Sequence, residues 1–322
     1  MPKILHCMLT LLIAGLTSLA LASPPANKHV AITQIVEHPA LDSVRQGVKD
    51  VLQEAGWVEG ENLTWNYQSA QGATATAAQI AKKFAGENPD VIVAIATPSA
   101  QAVVASARNS NVVFSAVTDP VSAKLVKAWD QPSPKVTGVS DLTPVDQHLQ
   151  LIKEALPKAA KLGVIYNPGE ANSVALVNLV KQHAPGLNLE VVEAASPKSA
   201  DVQTATRSLL GKVDVIYLPT DNTVISALEG VIKVAQQADI PVFAADTDSV
   251  KRGAVAALGF NYYDVGRQTG EMVVAVLQGK APGDIPVQGV QKTELYVNPG
   301  AAERMGLTLK PELIQRAKVV VE

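Results

Sequence analysis

The stretch Val213-Asp-Val-Ile-Tyr-Leu-Pro-Thr-Asp-Asn-Thr-Val-Ile-Ser-Ala-Leu-Glu229 decides the fold. Its first half is apolar and β-branched as far as Leu218-Pro219, which is typical of a strand buried on both faces. Four polar residues follow at once: Thr220, Asp221, Asn222 and Thr223. Such residues cap helix N-termini, and apolar residues then recur at helical spacing, so the stretch predicts strand, polar turn and helix. In an open parallel sheet, ligands bind at the carboxyl ends of the strands, which makes the polar turn a candidate site.

The same arrangement occurs at four other points of the chain. Apolar runs end in the polar turns Thr97-Pro-Ser99, Thr118-Asp-Pro120, Asn167-Pro-Gly-Glu170 and Asp246-Thr-Asp248. Proline suits the first position of a helix, where no amide hydrogen is needed. Helix capping alone explains any one of these turns. As a series, they predict several polar turns at the carboxyl ends of parallel strands.

The first 22 residues have the features of a secretory signal peptide. A cation at Lys3 precedes an apolar run from Met8 to Leu21, and Ala20-Leu-Ala22 resembles a cleavage site. We therefore expect residues 1–22 to be cleaved and the mature protein to be periplasmic. Cys7, the single cysteine, lies inside this segment, so we expect neither a lipid-anchored N-terminus nor a disulfide or thiolate metal site in the mature chain.

Composition indicates a soluble globular protein. The chain is 47% hydrophobic and 18% charged with a net charge of −3, and no basic patch stands out. These features argue against a nucleic-acid partner. About 300 residues remain after the signal peptide, enough for two domains.

Strand and helix patterns alternate through both halves of the mature chain, which predicts an α/β fold with parallel sheets. We expect two Rossmann-like lobes that face each other across a cleft. The N-terminal lobe comprises residues 28–140 plus 260–287, and the C-terminal lobe comprises 141–259 plus 288–322. The chain would cross between the lobes several times, an arrangement that permits hinge closure.

Seven segments together resemble a known family. They are Ile32-Thr-Gln-Ile-Val-Glu-His-Pro-Ala-Leu-Asp42, Ala94-Ile-Ala-Thr-Pro-Ser-Ala-Gln101, Val117-Thr-Asp-Pro-Val121, Thr137-Gly-Val-Ser140, Tyr166-Asn-Pro-Gly-Glu-Ala-Asn-Ser173, Leu218-Pro-Thr-Asp-Asn-Thr223 and Gly259-Phe-Asn-Tyr-Tyr263. In this order they resemble the ABC-transporter substrate-binding protein family that includes tryptophan/tyrosine-binding proteins. The resemblance implies a type I periplasmic binding protein fold with a three-crossing hinge. It also implies a monomer that delivers a small solute, an aromatic amino acid in such relatives, to a membrane permease and its ATPase.

An amino-acid ligand dictates what its pocket must contain. Its carboxylate needs amide or hydroxyl donors, and its ammonium needs a carboxylate. For the ligand carboxylate we expect Thr97, Ser99 and Thr118, together with helix N-terminal amides. For the ammonium we expect Asp248 or Asp246, with Asp221 and Glu170 behind them.

The remaining candidates lie at other strand exits and at a probable crossing. In the second lobe they are Asn172, Ser173, Thr220, Asn222 and Thr223; elsewhere they are Glu37, His38, Asp119 and Asn261. Each of these residues has an alternative role as a helix cap or a surface turn. Tyr262, beside Asn261, either reaches the ligand or packs the hinge.

Motifs for catalysis are absent from the sequence. It has no Gly-x-Ser-x-Gly elbow, no Gly-x-x-x-x-Gly-Lys loop and no His-Glu-x-x-His, and its histidines are scattered. We therefore expect no enzyme, no cofactor and no metal. Two alternatives remain open: a periplasmic sensor that presents a metabolite to a receptor, and a different solute, either a sugar or a nucleoside.

Overall fold

The computed structural model describes residues 27–290 and 292–322. The predicted signal peptide and Cys7 lie outside these residues. Within the described ranges, no helix has the length and apolar character needed to cross a membrane.

Strands and helices alternate along most of the described chain. The strands are β1 (Lys28–Gln34), β2 (Leu63–Ser69), β3 (Val91–Ile95), β4 (Val112–Ser115), β5 (Val136–Ser140), β6 (Lys161–Tyr166), β7 (Glu190–Ala195), β8 (Val215–Leu218), β9 (Val242–Ala244), β10 (Ala256–Gly259), β11 (Gln288–Gly289), β12 (Glu294–Val297) and β13 (Val319–Val320). The helices are α1 (Pro39–Glu54), α2 (Thr74–Glu87), α3 (Thr97–Ser106), α4 (Val145–Ala155), α5 (Ala171–His183), α6 (Val202–Ser208), α7 (Asn222–Ile225), α8 (Leu228–Gln237), α9 (Asp248–Lys251), α10 (Tyr262–Leu277), α11 (Pro299–Arg304) and α12 (Pro311–Arg316).

The N-terminal sheet has the strand order β11-β5-β4-β3-β1-β2, and its pairings are parallel. Every residue of β3, β4 and β5 is buried, as expected for strands covered on both faces. Helices α1 and α10 pack closely because glycines lie at their contact: a Cβ at Gly47 would overlap the Tyr263 carbonyl oxygen, and one at Gly266 would overlap that of Val44. This contact ties α10, which comes late in the chain, to the first lobe.

The C-terminal sheet has the order β13-β12-β10-β9-β8-β6-β7. Its pairings are parallel apart from β10 with β12, which run antiparallel. Each sheet has its own cluster of buried apolar side chains. The prediction of two α/β lobes with mainly parallel sheets and a three-crossing hinge is confirmed; the crossings follow β5, β10 and β11.

One predicted boundary disagrees with the strand pairing. We expected residues from 288 onward to belong to the C-terminal lobe, but Gln288 pairs with Val139 and Gly289 with Ser140 in the N-terminal sheet. The chain thus adds a short edge strand to the first sheet before it crosses. A strand of two residues that includes a glycine has no periodic pattern by which the sequence would reveal it.

The helix predicted after the opening stretch is broken in two. The sequence predicts a single helix after the polar turn, whereas α7 ends at Ile225 and α8 begins at Leu228. Between them, the hydroxyl of Ser226 donates to the carbonyl oxygen of Thr223 at 2.8 Å. Serine competes in this way with the regular backbone bonds of a helix.

Candidate functional site

A small cavity lies between the two lobes, where the carboxyl ends of their strands meet. The N-terminal lobe and the crossings contribute His38, Ala40, Leu41, Ala116, Thr118, Asp141 and Tyr262. The C-terminal lobe contributes Asn172, Thr220, Asp221, Asn222, Ile225 and Asp246. Polar turns from both lobes therefore surround one enclosed space.

Asp141, on the first crossing, is held by side chains of the N-terminal lobe. Its Oδ2 accepts a hydrogen bond from the Tyr262 hydroxyl at 2.8 Å, and its Oδ1 accepts one from the Thr118 hydroxyl at 3.2 Å. Burial raises the pKa of this carboxyl, and the two hydroxyl donors oppose that rise. The side chain is thus positioned in the cavity without a cationic partner among these contacts.

Asp246 follows β9 and lies at the start of α9. Its Oδ1 accepts from the Ser249 amide at 2.8 Å, and its Oδ2 accepts from the Ser249 hydroxyl at 2.5 Å. The carboxylate therefore caps the first turn of α9 while it also lines the cavity. Burial raises its pKa above the ordinary value.

Asp221 follows β8 and caps α7. Its Oδ1 accepts from the Val224 amide at 2.8 Å, and its Oδ2 accepts from the Asn167 amide at 2.5 Å. Burial, followed by the negative charge of Glu170, raises the pKa of Asp221 to about 7. The charge of Asp221 is thus sensitive to pH near neutrality.

The carboxylate of Glu170 accepts hydrogen bonds from two turns of the C-terminal lobe. Its Oε2 accepts from the Asn222 amide, the Asn222 side chain and the Asn172 side chain. Its Oε1 accepts from the amide and the hydroxyl of Thr223 at 3.0 and 2.7 Å. With five donors around it, this carboxylate supports the cavity wall from behind, outside the cavity lining.

The cavity is acidic. Three carboxyl groups line it, and among the described residues neither lysine nor arginine does. Arg252 acts on Asp246 and His38 through its charge, but its guanidinium is engaged by Glu229 at 2.8 and 2.9 Å. Buried carboxylates are costly without a cation, so the arrangement suits a ligand that brings a positive charge.

The first turn of α1 provides the opposite kind of group. Ala40 and Leu41 line the cavity at the start of this 16-residue helix. Amides in a first helical turn have no acceptor within the helix and carry the positive end of its dipole. That end of the cavity therefore suits an anion.

His38 stands at the N-cap of α1 and faces the other lobe. Its ring is buried, is within hydrogen-bonding reach of the Asn222 side chain, and has no partner for Nδ1 in the described part of the chain. Burial first and the charge of Arg252 second lower the pKa of His38 to about 3. The ring is therefore neutral in this arrangement of the lobes.

The structure brings part of the predicted site together. The predicted residues that line the cavity are His38, Thr118, Asn172, Thr220, Asp221, Asn222 and Asp246. Those that lie immediately behind its wall are Glu170, Ser173 and Thr223. Thr97 and Ser99 are buried in the first turn of α3, and their hydroxyl oxygens have no partner among the described residues. They are not part of the cavity lining.

Four predicted residues lie elsewhere. Glu37 is exposed and accepts from the Tyr67 hydroxyl at 3.0 Å. Asp119 caps a turn through the amides of Val121 and Ser122, both at 3.0 Å. Asp248 pairs with Lys251 at 3.1 Å, and the exposed Asn261 caps α10. As a partner for a ligand ammonium, Asp248 is thus poorly placed compared with Asp246.

Asp141 was missed by the sequence analysis. It lies on a crossing segment after Ser140 of β5, and no helix follows this strand directly. Its signal was the polar pair Ser140-Asp141 at the end of a fully buried strand. Tyr262 had two possible roles, and its bond to Asp141 and its position in the lining show that it packs the hinge and also faces the cavity.

Comparisons with known proteins agree with this geometry. The family model of the ABC transporter substrate binding protein matches residues 29–321. A tyrosine-binding protein of Clostridioides difficile is 42% identical over 271 residues, which cover 84% of this chain and 79% of that protein.

Two solved structures extend the comparison. The structure of an ABC domain from Streptococcus pneumonia in complex with L-Trp is 31% identical, with a TM-score of 0.89, and the match covers 92% of this chain and 100% of that one. A ligand-free, open structure of a substrate-binding protein from Clostridium difficile is 40% identical, with a TM-score of 0.68 and coverage of 91% and 99%. From the family match and these relatives, we conclude that the chain belongs to the family of ABC transporter substrate-binding proteins.

Proposed function

We propose that this substrate-binding protein binds an aromatic amino acid as a zwitterion in the cavity between its lobes. The observation that carries the proposal is the acidic cavity, which is lined by three buried carboxyl groups and by the first turn of α1. The relatives support the class of ligand, since one is named for tyrosine and another contains L-Trp.

The ligand ammonium is assigned to Asp141 and Asp246. Both carboxyls line the cavity, and both have a pKa raised by burial, which a cation nearby would offset. The protein donors to Asp141 are two neutral hydroxyls, so its charge has no compensation among these bonds. A charge-assisted hydrogen bond from the ligand ammonium would compensate the charge of Asp141.

The ligand carboxylate is assigned to the amides at the start of α1, beside Ala40 and Leu41. Thr118 lines the same cavity, whereas Thr97 and Ser99, at the start of α3, lie outside its lining. Helix N-termini bind anions through free amides and the helix dipole. Apolar surface for the ring comes from Leu41, Ile225 and the Tyr262 ring.

Binding is coupled to closure of the lobes about the three crossings. The L-Trp complex superposes at a TM-score of 0.89 with 31% identity, whereas the open, ligand-free structure superposes at 0.68 with 40% identity. A poorer superposition at higher identity is the pattern expected when lobes of the same fold sit at a different angle. The comparison thus supports hinge closure, in which a ligand favours the closed form through its contacts with both lobes.

The closed protein would then deliver its ligand to an ABC permease and ATPase. We propose that it does so as a periplasmic monomer after removal of residues 1–22. The members of the family named above are described as binding proteins, which agrees with the expectation that the chain is not an enzyme.

Calorimetry on the mature protein at pH 7.5 tests the ligand. The panel contains the L-amino acids, several sugars and several nucleosides, and mass spectrometry of the product mixture checks for turnover. We expect stoichiometric binding of tyrosine, tryptophan or phenylalanine without a product. Binding of a sugar or nucleoside, with no amino acid bound, would refute the ammonium assignment, and turnover would favour an enzyme.

A further inference from the structure

His38 is placed where the two lobes meet. It belongs to the N-terminal lobe, at the N-cap of α1 with an extended backbone (φ −160°, ψ 159°), and its ring reaches the Asn222 side chain of the C-terminal lobe. The residue is only 8% exposed. Because Asn222 belongs to the opposite lobe, opening of the cleft would separate the two side chains and bring water to the ring.

Two positive groups oppose a proton on His38. Arg252, at the end of α9, lowers the pKa of the ring through its charge, and the first-turn amides of α1 present the positive end of the helix dipole. The neighbouring Glu37 is directed outward to Tyr67 and is exposed. Neither Arg252 nor the helix end stabilises an imidazolium here.

Other titratable groups share the cavity with His38. They are Asp141, Asp221, Asp246 and the phenol of Tyr262. None of them is a hydrogen-bond partner of the ring, whose side-chain contact is the neutral Asn222. Each of these groups forms its main hydrogen bonds within its own lobe or at the hinge.

We propose that His38 is a proton-sensitive latch: the lobes close on the neutral ring, and a proton on the ring holds the cleft open. This proposal rests on the lobe closure in the proposed function and adds that pH regulates this closure. The ligand would therefore be held at neutral pH and released as the surroundings become acidic.

The direction of the pH effect on closure follows from the two environments of the His38 ring. In the closed arrangement the pKa of His38 is lowered to about 3, whereas a solvated histidine has a value near ~6.5. Closure thus requires loss of a proton below about pH 6.5, and this contribution to closure is complete above that value. Each pH unit below it weakens closure about tenfold, which amounts to about 30-fold at pH 5.0.

The carboxyl groups of the cavity also weaken ligand binding at low pH. Asp141, Asp221 and Asp246 have raised pKa values, so acidification neutralises them and weakens their attraction for an ammonium. A fall in affinity at low pH is therefore insufficient evidence for the latch. The contribution of His38 has to be obtained as the difference between the protein and a variant in which this residue cannot titrate.

The experiment measures the Kd for L-tyrosine and L-tryptophan by calorimetry from pH 5.0 to 7.5. It compares the unmodified protein, His38→Asn, and a control, His183→Asn, in which the substituted histidine lies at the far end of α5. We expect the ratio of Kd values, unmodified protein to His38→Asn, to rise about 30-fold between pH 7.5 and 5.0, and His183→Asn to follow the unmodified protein. Parallel profiles for His38→Asn and the unmodified protein would overturn the latch. Absence of amino-acid binding at every pH would instead count against the proposed function.

A second measurement covers the case in which His38→Asn does not fold. NMR titration of the ring of His38 in the unmodified protein compares the ligand-free and ligand-saturated states. We expect titration near pH 6.5 without ligand and no titration above pH 5 with ligand. An identical titration in both states would show that closure leaves the ring unaffected and would discard the proposal.

Discussion

Asp141→Asn is the substitution that tests the binding site most directly. The exchange conserves size and leaves an oxygen that accepts from the Thr118 hydroxyl and an amide that donates to the Tyr262 oxygen, but it removes the charge. A hydrogen bond to a charged group contributes about 1.5–3 kcal/mol. We therefore expect the Kd for the aromatic amino acid to rise about 10- to 150-fold at pH 7.5.

The same substitution should leave stability intact or increase it. Burial raises the pKa of Asp141, which means that its ionised form is less stable in the fold than in the unfolded chain. For a carboxyl with a raised pKa, stability is lost as pH rises, so removal of the charge should help more at pH 7.5 than at pH 4. Thermal unfolding without ligand would measure this effect.

Asp248→Asn is the matched control. Asp248 pairs with the exposed Lys251 and lies outside the cavity, so this variant should bind with a Kd close to that of the unmodified protein. An unchanged Kd in Asp141→Asn would refute the ammonium assignment. An equal loss in both variants would show that the effect depends on overall charge and not on the position of Asp141.

Two further predictions concern stability and are measured by urea unfolding. Gly266→Ala should destabilise the protein by up to about 3 kcal/mol because its Cβ would overlap the Val44 carbonyl oxygen. The control Gly86→Ala, on the open surface of α2, should instead stabilise the protein by about 0.5–1 kcal/mol. Equal effects of the two substitutions would contradict the packing argument. Tyr217→Phe should cost about 1–3 kcal/mol because it leaves Nδ1 of the buried His148, now 2.7 Å from the Tyr217 hydroxyl, without its partner. A loss below about 0.5 kcal/mol would mean that a water molecule takes the place of that hydroxyl.

Local patterns predicted much of the architecture because they reflect local causes. The buried strands and their polar exits were recognisable from apolar runs followed by capping residues, as in the turn after β8. The two-residue strand β11 and the break between α7 and α8 were not recognisable. Pairing with a distant strand produces the first, and the second coincides with a hydrogen bond from the Ser226 hydroxyl to the Thr223 carbonyl oxygen, which apolar spacing does not reveal.

The predicted site was incomplete for a related reason. Capping residues and ligand-binding residues are of the same types, and the sequence does not say which of them face the cleft. Asp119 and Asp248 cap or pair at the surface, whereas Asp246 caps α9 and also lines the cavity. Asp141 lies on a crossing, where its importance depends on Tyr262, 121 residues further along the chain.

The two α/β lobes and the polar turns at their strand exits could be predicted from local sequence, because strand burial and helix capping depend on residues that are close in the chain. Only the tertiary structure decided which carboxyls share the cavity and that His38 meets Asn222 across it. The physical reason is that both results depend on where two separately packed lobes come together. That arrangement is set by three crossing segments and by contacts between residues far apart in sequence.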